Sequence, residues 1–121
     1  MTKLTSQPYA TWLEINLAAV ERNTQFITRS TGVAFMAVLK GNAYGHGAVE
    51  VGKAALKGGA AWLAVARVDE ALELRRAGIT APILVLGTIP YAQVDAAIAN
   101  TITVPLRSEE HTSELQSRLH L

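Results

Sequence analysis

Short, unalternating apolar runs begin near residues 34, 61, 83 and 101, and one stretch of helical pattern separates each from the next. An apolar run without polar alternation reads as a strand buried on both faces. Strands separated by helices are expected to be parallel, since a parallel pair needs a long crossover, and that crossover is right-handed. Two architectures meet this constraint: an open doubly wound sheet and a closed eight-stranded barrel. Periodicity does not choose between them. A complete barrel takes roughly 250 residues, so a chain of 121 could supply its first half.

The elements can be placed along the chain. Thr11, Trp12, Leu13, Glu14 and Ile15 form an extended opening piece. Asn16 is suited to cap a helix carrying Leu17, Val20 and Ile27, because its side chain can accept from the free amides of a first turn. Residues 33–39 form the first buried strand and run into a glycine-rich turn. A helix over residues 48–57 is stopped by Gly58 and Gly59. Residues 61–66 form the second buried strand. Asp69 is the expected cap of a helix through Arg76 that ends at Gly78, with acids in its first turn and arginines in its last to complement the helix dipole. Residues 82–87 give a third strand, residues 90–99 a further helix, and a fourth strand begins at residues 101–104.

Half of the residues are hydrophobic and 17% are charged, a balance that suits a packed core. The net charge of +1 gives no reason to expect nucleic acid or a membrane surface as a partner. With no cysteine, disulfides, thiolate metal sites and thiol nucleophiles are excluded. The first eight residues lack the apolar core of a signal peptide, and no apolar run reaches the length of a membrane span. A cytoplasmic location is the expectation.

Chemistry concentrates in residues 38–47, Val-Leu-Lys-Gly-Asn-Ala-Tyr-Gly-His-Gly. Lys40 falls where a buried parallel strand gives way to its loop, the end at which both α/β architectures place their sites. A lysine there can be partly desolvated, which favours its neutral, nucleophilic form, and such an amine forms a Schiff base with an aldehyde. It can equally be a strand-ending lysine that reaches solvent. Gly41, Gly45 and Gly47 either permit a tight turn of positive φ or expose amides that hold a phosphate. The spacing is neither a Walker motif nor a G-x-G-x-x-G fingerprint. Tyr44 can close over a ligand or donate its hydroxyl. His46 has no histidine or cysteine nearby and reads as structural, so no metal is expected.

Residues 37–47 resemble the cofactor-attachment motif of the alanine racemases, A-V-[VL]-K-[AG]-N-A-Y-G-H-G. The resemblance continues through residues 11–15, 63–66, 69–71 and 81–87 in family order and covers roughly residues 9–104. It implies a fold-type III pyridoxal 5'-phosphate enzyme, an isomerase interconverting L- and D-alanine for peptidoglycan precursors. The fold implied is α/β, the first half of a pyridoxal-phosphate-binding (β/α)8 barrel truncated near its fourth strand. Residues 1–16 would include the opening strand of a β domain, 17–104 the partial barrel, and 105–121 a junction and tail. By the same resemblance Lys40 carries the cofactor and is a catalytic base, Tyr44 helps to hold the phosphate, and Val38 and Leu86 line the pocket. Gly41 is a mild variation on the family's usual alanine. The second base, a tyrosine, comes from the partner subunit of a homodimer, and Tyr9 and Tyr91 lie in no matching motif. The chain alone is therefore expected to be inactive, and a barrel stopped at four strands to expose an edge and an apolar face.

Residues 107–117, Arg-Ser-Glu-Glu-His-Thr-Ser-Glu-Leu-Gln-Ser, resemble the translation of a widely used sequencing adapter, and Arg118, Leu119, His120 and Leu121 are compatible with its continuation. His111 and His120 are accordingly not read as ligands, although the composition favours a helix. Three other readings stay open beside the racemase: an amino-acid racemase of broader specificity, a barrel protein that carries pyridoxal phosphate without catalysis, and an open-sheet module with no cofactor.

Overall fold

The computed structural model describes residues 8–109, 112, 113, 116 and 117. Helix α1, Leu17–Thr31, starts at Asn16, whose side chain accepts from the Ala19 amide at 2.9 Å, and ends at Gly32 with φ 66°. Strand β1 is Met36–Val38. A helical turn of reversed hand, α2, occupies Lys40–Tyr44, and helix α3 spans Ala48–Lys57. Strand β2 is Trp62–Val65 and helix α4 is Val68–Arg76. Strand β3 is Ile83–Val85, followed by a 3-10 turn at Tyr91–Gln93, helix α5 at Val94–Ala99 and strand β4 at Ile102–Thr103.

The four strands are parallel and lie in sheet order β1-β2-β3-β4. An order that follows the chain without reversal is that of a barrel wall; a doubly wound sheet reverses direction at a switch point. The register aligns Ala37 with Leu63, Leu63 with Ile83 and Ile83 with Ile102. Together with Leu39, Val65 and Val85 these residues form the face covered by helices, and all are buried. The alternate row, Val38, Ala64, Leu84 and Thr103, faces the other way. Val38 is 40% exposed there, and Leu86, one step beyond β3, is 42% exposed. Burial on both faces, expected from the unalternating runs, is complete on the helix side, and on the other side it is met at Ala64 but not at Val38 or Thr103.

Three further expectations change. Residues 11–15 pair with no strand among the described residues, and Trp12, instead of entering a sheet, hydrogen-bonds Glu14. Arg67, not Asp69, is the residue before α4. Glu70 accepts the Arg67 amide at 3.0 Å, so the first turn is closed from inside the helix, while Asp69 turns outward to a two-bond contact with the Arg67 guanidinium. That contact, chiefly through its hydrogen bonds, holds the Asp69 carboxyl below the ordinary aspartate range. The helix over residues 90–99 is divided into the 3-10 turn and α5.

Two close approaches fix the layers. A Cβ on Gly58 would lie 2.6 Å from the Glu21 carbonyl oxygen, so only glycine lets the end of α3 sit against α1. At the floor of the sheet Arg75 donates to four carbonyls, those of Ile79, Ala81, Asn100 and Thr101, at 2.7–3.0 Å. This one guanidinium joins the turn before β3 to the turn before β4. Replacing it by methionine keeps the stem and removes every donor. Arg75→Met is expected to cost about 3 kcal/mol, the scale of charged hydrogen bonds lost to partly buried acceptors, read as a lower urea midpoint; an unchanged midpoint would refute the assignment.

Candidate active site at the strand ends

The parallel sheet delivers the loops after β1, β2 and β3 to one face. Lys40 follows β1 there, Ala66 and Arg67 follow β2, and Leu86 and Gly87 follow β3. The β2 and β3 ends are drawn together by hydrogen bonds from Leu86 to Val65 at 2.8 Å and from Gly87 to Ala66 at 3.3 Å. A Cβ on Gly87 would stand 2.7 Å from the Ala66 oxygen, which explains the glycine at that point.

The backbone after Lys40 has a conformation that the sequence did not suggest. Gly41, Asn42, Ala43 and Tyr44 all have φ between 54° and 60°, one turn of left-handed helix. For an L-residue that hand costs roughly 1–2 kcal/mol, less for asparagine. The turn is held by its own ladder: Ala43 donates to Leu39 at 2.8 Å and Gly45 to Gly41 at 3.0 Å. The Asn42 side chain accepts from the Ala48 amide at 2.8 Å and so ties the turn to the start of α3. His46 Nδ1 lies 2.9 Å from the Ala43 carbonyl, a pairing in which the ring donates.

These bonds settle what the glycines do. The amides of Gly41, Ala43, Gly45, His46, Gly47 and Ala48 all have acceptors within the chain. The loop is therefore a strained turn, with Gly41, Gly45 and Gly47 at positive φ, and its bonded amides do not form a phosphate cradle.

Of the residues singled out from the sequence, Lys40, Tyr44, Val38 and Leu86 all fall at this mouth. Lys40 is exposed, the solvent-reaching one of the two readings left open from the sequence, and its Nζ sits 6.0 Å from the centre of the Tyr44 ring. Tyr44 is 63% exposed. Val38 and Leu86 give the mouth a half-open apolar wall. Sequence reasoning missed Glu70, whose side chain is only 11% exposed. One carboxylate oxygen accepts the Gly41 amide at 2.9 Å, and the other accepts those of Ala66 and Arg67 at 2.7 and 3.0 Å. A glutamate four residues past the end of an expected strand was the available signal. Among the described residues no three histidines or acids gather as a metal site, and no helix is long and apolar enough to cross a membrane. A hollow of about 470 Å³ is elsewhere: it lies along β4 and α5, lined by Ile89, Ile98, Val104 and Leu106 with Thr112 and Gln116 of the tail.

The profile of the family "Alanine racemase, N-terminal domain" matches residues 15–120. The chain belongs to the alanine racemase family. An alanine racemase of Halalkalibacterium halodurans is 47% identical over 113 residues, which is 91% of this chain and 29% of that protein. Alanine racemase 1 of Bacillus subtilis is 47% identical over 106 residues, 86% of this chain and 27% of the relative. Among solved structures, the alanine racemase of Bacillus anthracis with bound L-Ala-P superposes with a TM-score of 0.83 at 45% identity, covering 92% of this chain and 30% of that one. An alanine racemase of Clostridium difficile 630 gives 0.85 at 38% identity, covering 95% and 31%. The chain thus spans about 29% of the length of the first curated relative. Its sheet is the first half of the α/β barrel of these racemases. The family match runs past Val104 and overlaps the stretch that resembles an adapter; in that stretch residues 110, 111, 114, 115 and 118–121, His111 and His120 among them, lie outside the described residues.

The left-handed turn depends on Asn42 twice, for its tolerance of positive φ and for the amide of Ala48. Asn42→Ala is expected to destabilise the chain by about 1–2 kcal/mol, the cost of a lost cap on a strained backbone, with faster exchange of the Ala48 amide; protection equal to the parent's would contradict this.

Proposed function

We propose that this segment supplies the cofactor-bearing half of the mouth in a pyridoxal 5'-phosphate-dependent alanine racemase that interconverts L- and D-alanine for peptidoglycan precursors in the cytoplasm. The observation that carries the reading is the placement of Lys40 on a rigid turn at the strand ends, beside Tyr44 and the apolar pair Val38 and Leu86. These residues fit the group. An exposed amine suits an aldehyde, a phenol hydroxyl suits a phosphate oxygen, and a half-open apolar wall suits a planar ring.

When bound, pyridoxal 5'-phosphate supplies an electron sink for charge at the α-carbon of an amino acid. Lys40 would hold the cofactor through its amine, Tyr44 would donate its hydroxyl to the phosphate, and Val38 and Leu86 would keep water from the ring. The Lys40 amine would also be the base that holds and returns the α-proton on one side, that of the D-enantiomer. Racemisation needs a second base on the opposite side. We assign it to a tyrosine of the partner subunit in a homodimer, so residues 1–121 alone do not racemise alanine. A racemase of broader specificity would use the same Lys40 chemistry; the relatives named above favour alanine.

Incubation of the chain with pyridoxal phosphate, borohydride reduction and peptide mapping tests the reading. Lys40 is expected to be labelled well ahead of Lys53 and Lys57, and Lys40→Ala to abolish the preference. Equal labelling of all three would overturn it.

We also propose that the barrel segment ends at Val104 and that residues 107–121 are foreign to it. The eleven-residue run from Arg107 to Ser117 supports this. Genomic DNA is expected to diverge from the present sequence after Val104 and to continue into further barrel strands; a genomic frame that encodes residues 107–121 unchanged would refute it.

A further inference from the structure

We propose that Glu70 is a positioning residue for Lys40, clamping the peptide that follows the lysine to the end of β2. The inference rests on the cofactor reading of Lys40 given above. The Gly41 amide belongs to the Lys40–Gly41 peptide, so a bond to it fixes the direction in which the Lys40 backbone leaves the strand. That bond runs 29 residues along the chain, from α4 to the β1 loop, at 2.9 Å. The second carboxylate oxygen is anchored on Ala66 and Arg67 at 2.7 and 3.0 Å. The acceptor is therefore itself held, by the two residues that follow β2, the strand adjacent to the one that Lys40 follows. Arg67 stands 3.9 Å from the same oxygen that takes the Gly41 amide, which keeps a positive charge beside the carboxylate.

The need for such a clamp follows from the strain. A left-handed turn of four residues has cheaper right-handed and extended alternatives, and its internal ladder begins only at Ala43. The first peptide of the turn has no acceptor in that ladder, and Glu70 provides one. A helix-capping role alone would need only the oxygen on Ala66 and Arg67.

Glu70→Gln separates the two roles. Its single amide oxygen can still accept from Ala66 and Arg67, which leaves an NH2 group facing the Gly41 N–H, two donors with no acceptor between them. With capping retained, E70Q is expected to keep its helical circular dichroism while the preference of pyridoxal phosphate for Lys40 over Lys53 and Lys57 falls about tenfold, the scale of one charge-assisted hydrogen bond. The Gly41 amide should lose its protection from exchange. A folded E70Q with the parent's labelling preference overturns the proposal. If E70Q does not fold, the unaltered chain decides: a Gly41 amide exchanging as freely as one in an unfolded peptide overturns the clamp, and a protected one supports it. Should the unaltered chain show no preference for Lys40, the cofactor reading fails, while Gly41 exchange still reports on the clamp separately.

Discussion

Parallel strands can be joined only by crossovers that return to the starting end, and this constraint determines where everything else in the chain lies. Each crossover places its helix on one side of the sheet and its next loop at the same rim. Leu63, Ile83 and Ile102 are buried because helices cover that side. Lys40, Arg67 and Leu86 share a rim because each follows the C-terminal end of a strand. Nothing about Lys40 itself puts it near Leu86, 46 positions later in the sequence; the sheet does.

At that rim the backbone departs from the cheap conformations, and the departure has a chemical consequence. A left-handed turn needs its amides for its own ladder, so those amides cannot also grip an anion. In the proposed cofactor reading, recognition of a phosphate would therefore fall to side chains, the Tyr44 hydroxyl among them. A glycine-rich loop in which the same amides pointed outward would bind phosphate without a tyrosine but would not hold the preceding lysine in a fixed direction. Rigidity at Lys40 and anion binding by these amides are competing uses of the same donors.

Much of the architecture was legible because it rests on local patterns. The four strand starts were placed to within two residues, Asn16 caps α1 through the bond its side chain type predicts, and α3 has the bounds expected from Gly58. The misses share a cause. Asp69 has the ideal cap side chain, yet the capping bond comes from Glu70, because a glutamate within the turn can reach back to the Arg67 amide and forward to Gly41 at once. The positive φ of Ala43 and Tyr44 contradicts their local preference and is held by the bonds of Ala43 to Leu39 and of Gly45 to Gly41 on either side. Arg75 reads as a dipole-matching charge at a helix end, yet it bridges two turns whose proximity only the sheet creates. Residues 11–15 have a strand's composition, but a strand exists only where a partner offers a ladder.

The apolar runs illustrate the same boundary between pattern and context. A strand in a barrel wall meets helices on one side and opposite strands on the other, so both rows of side chains are apolar and the sequence does not alternate. Within this chain the helix side is complete, and the Val38–Ala64–Leu84 row is met by no opposite strand among the described residues. The row's upper end is where the exposed Lys40 amine and the half-exposed Leu86 stand. An apolar surface that is dry in a closed barrel would give the Lys40 amine a low-dielectric wall there, and the same surface is wetted at Val38 and Leu86 when only one side of the wall is present. The position of the amine depends on the β1 loop and Glu70, both of which this segment contains; its shielding from water depends on the far wall. Placement and desolvation of the lysine are separable properties, built by different parts of the barrel.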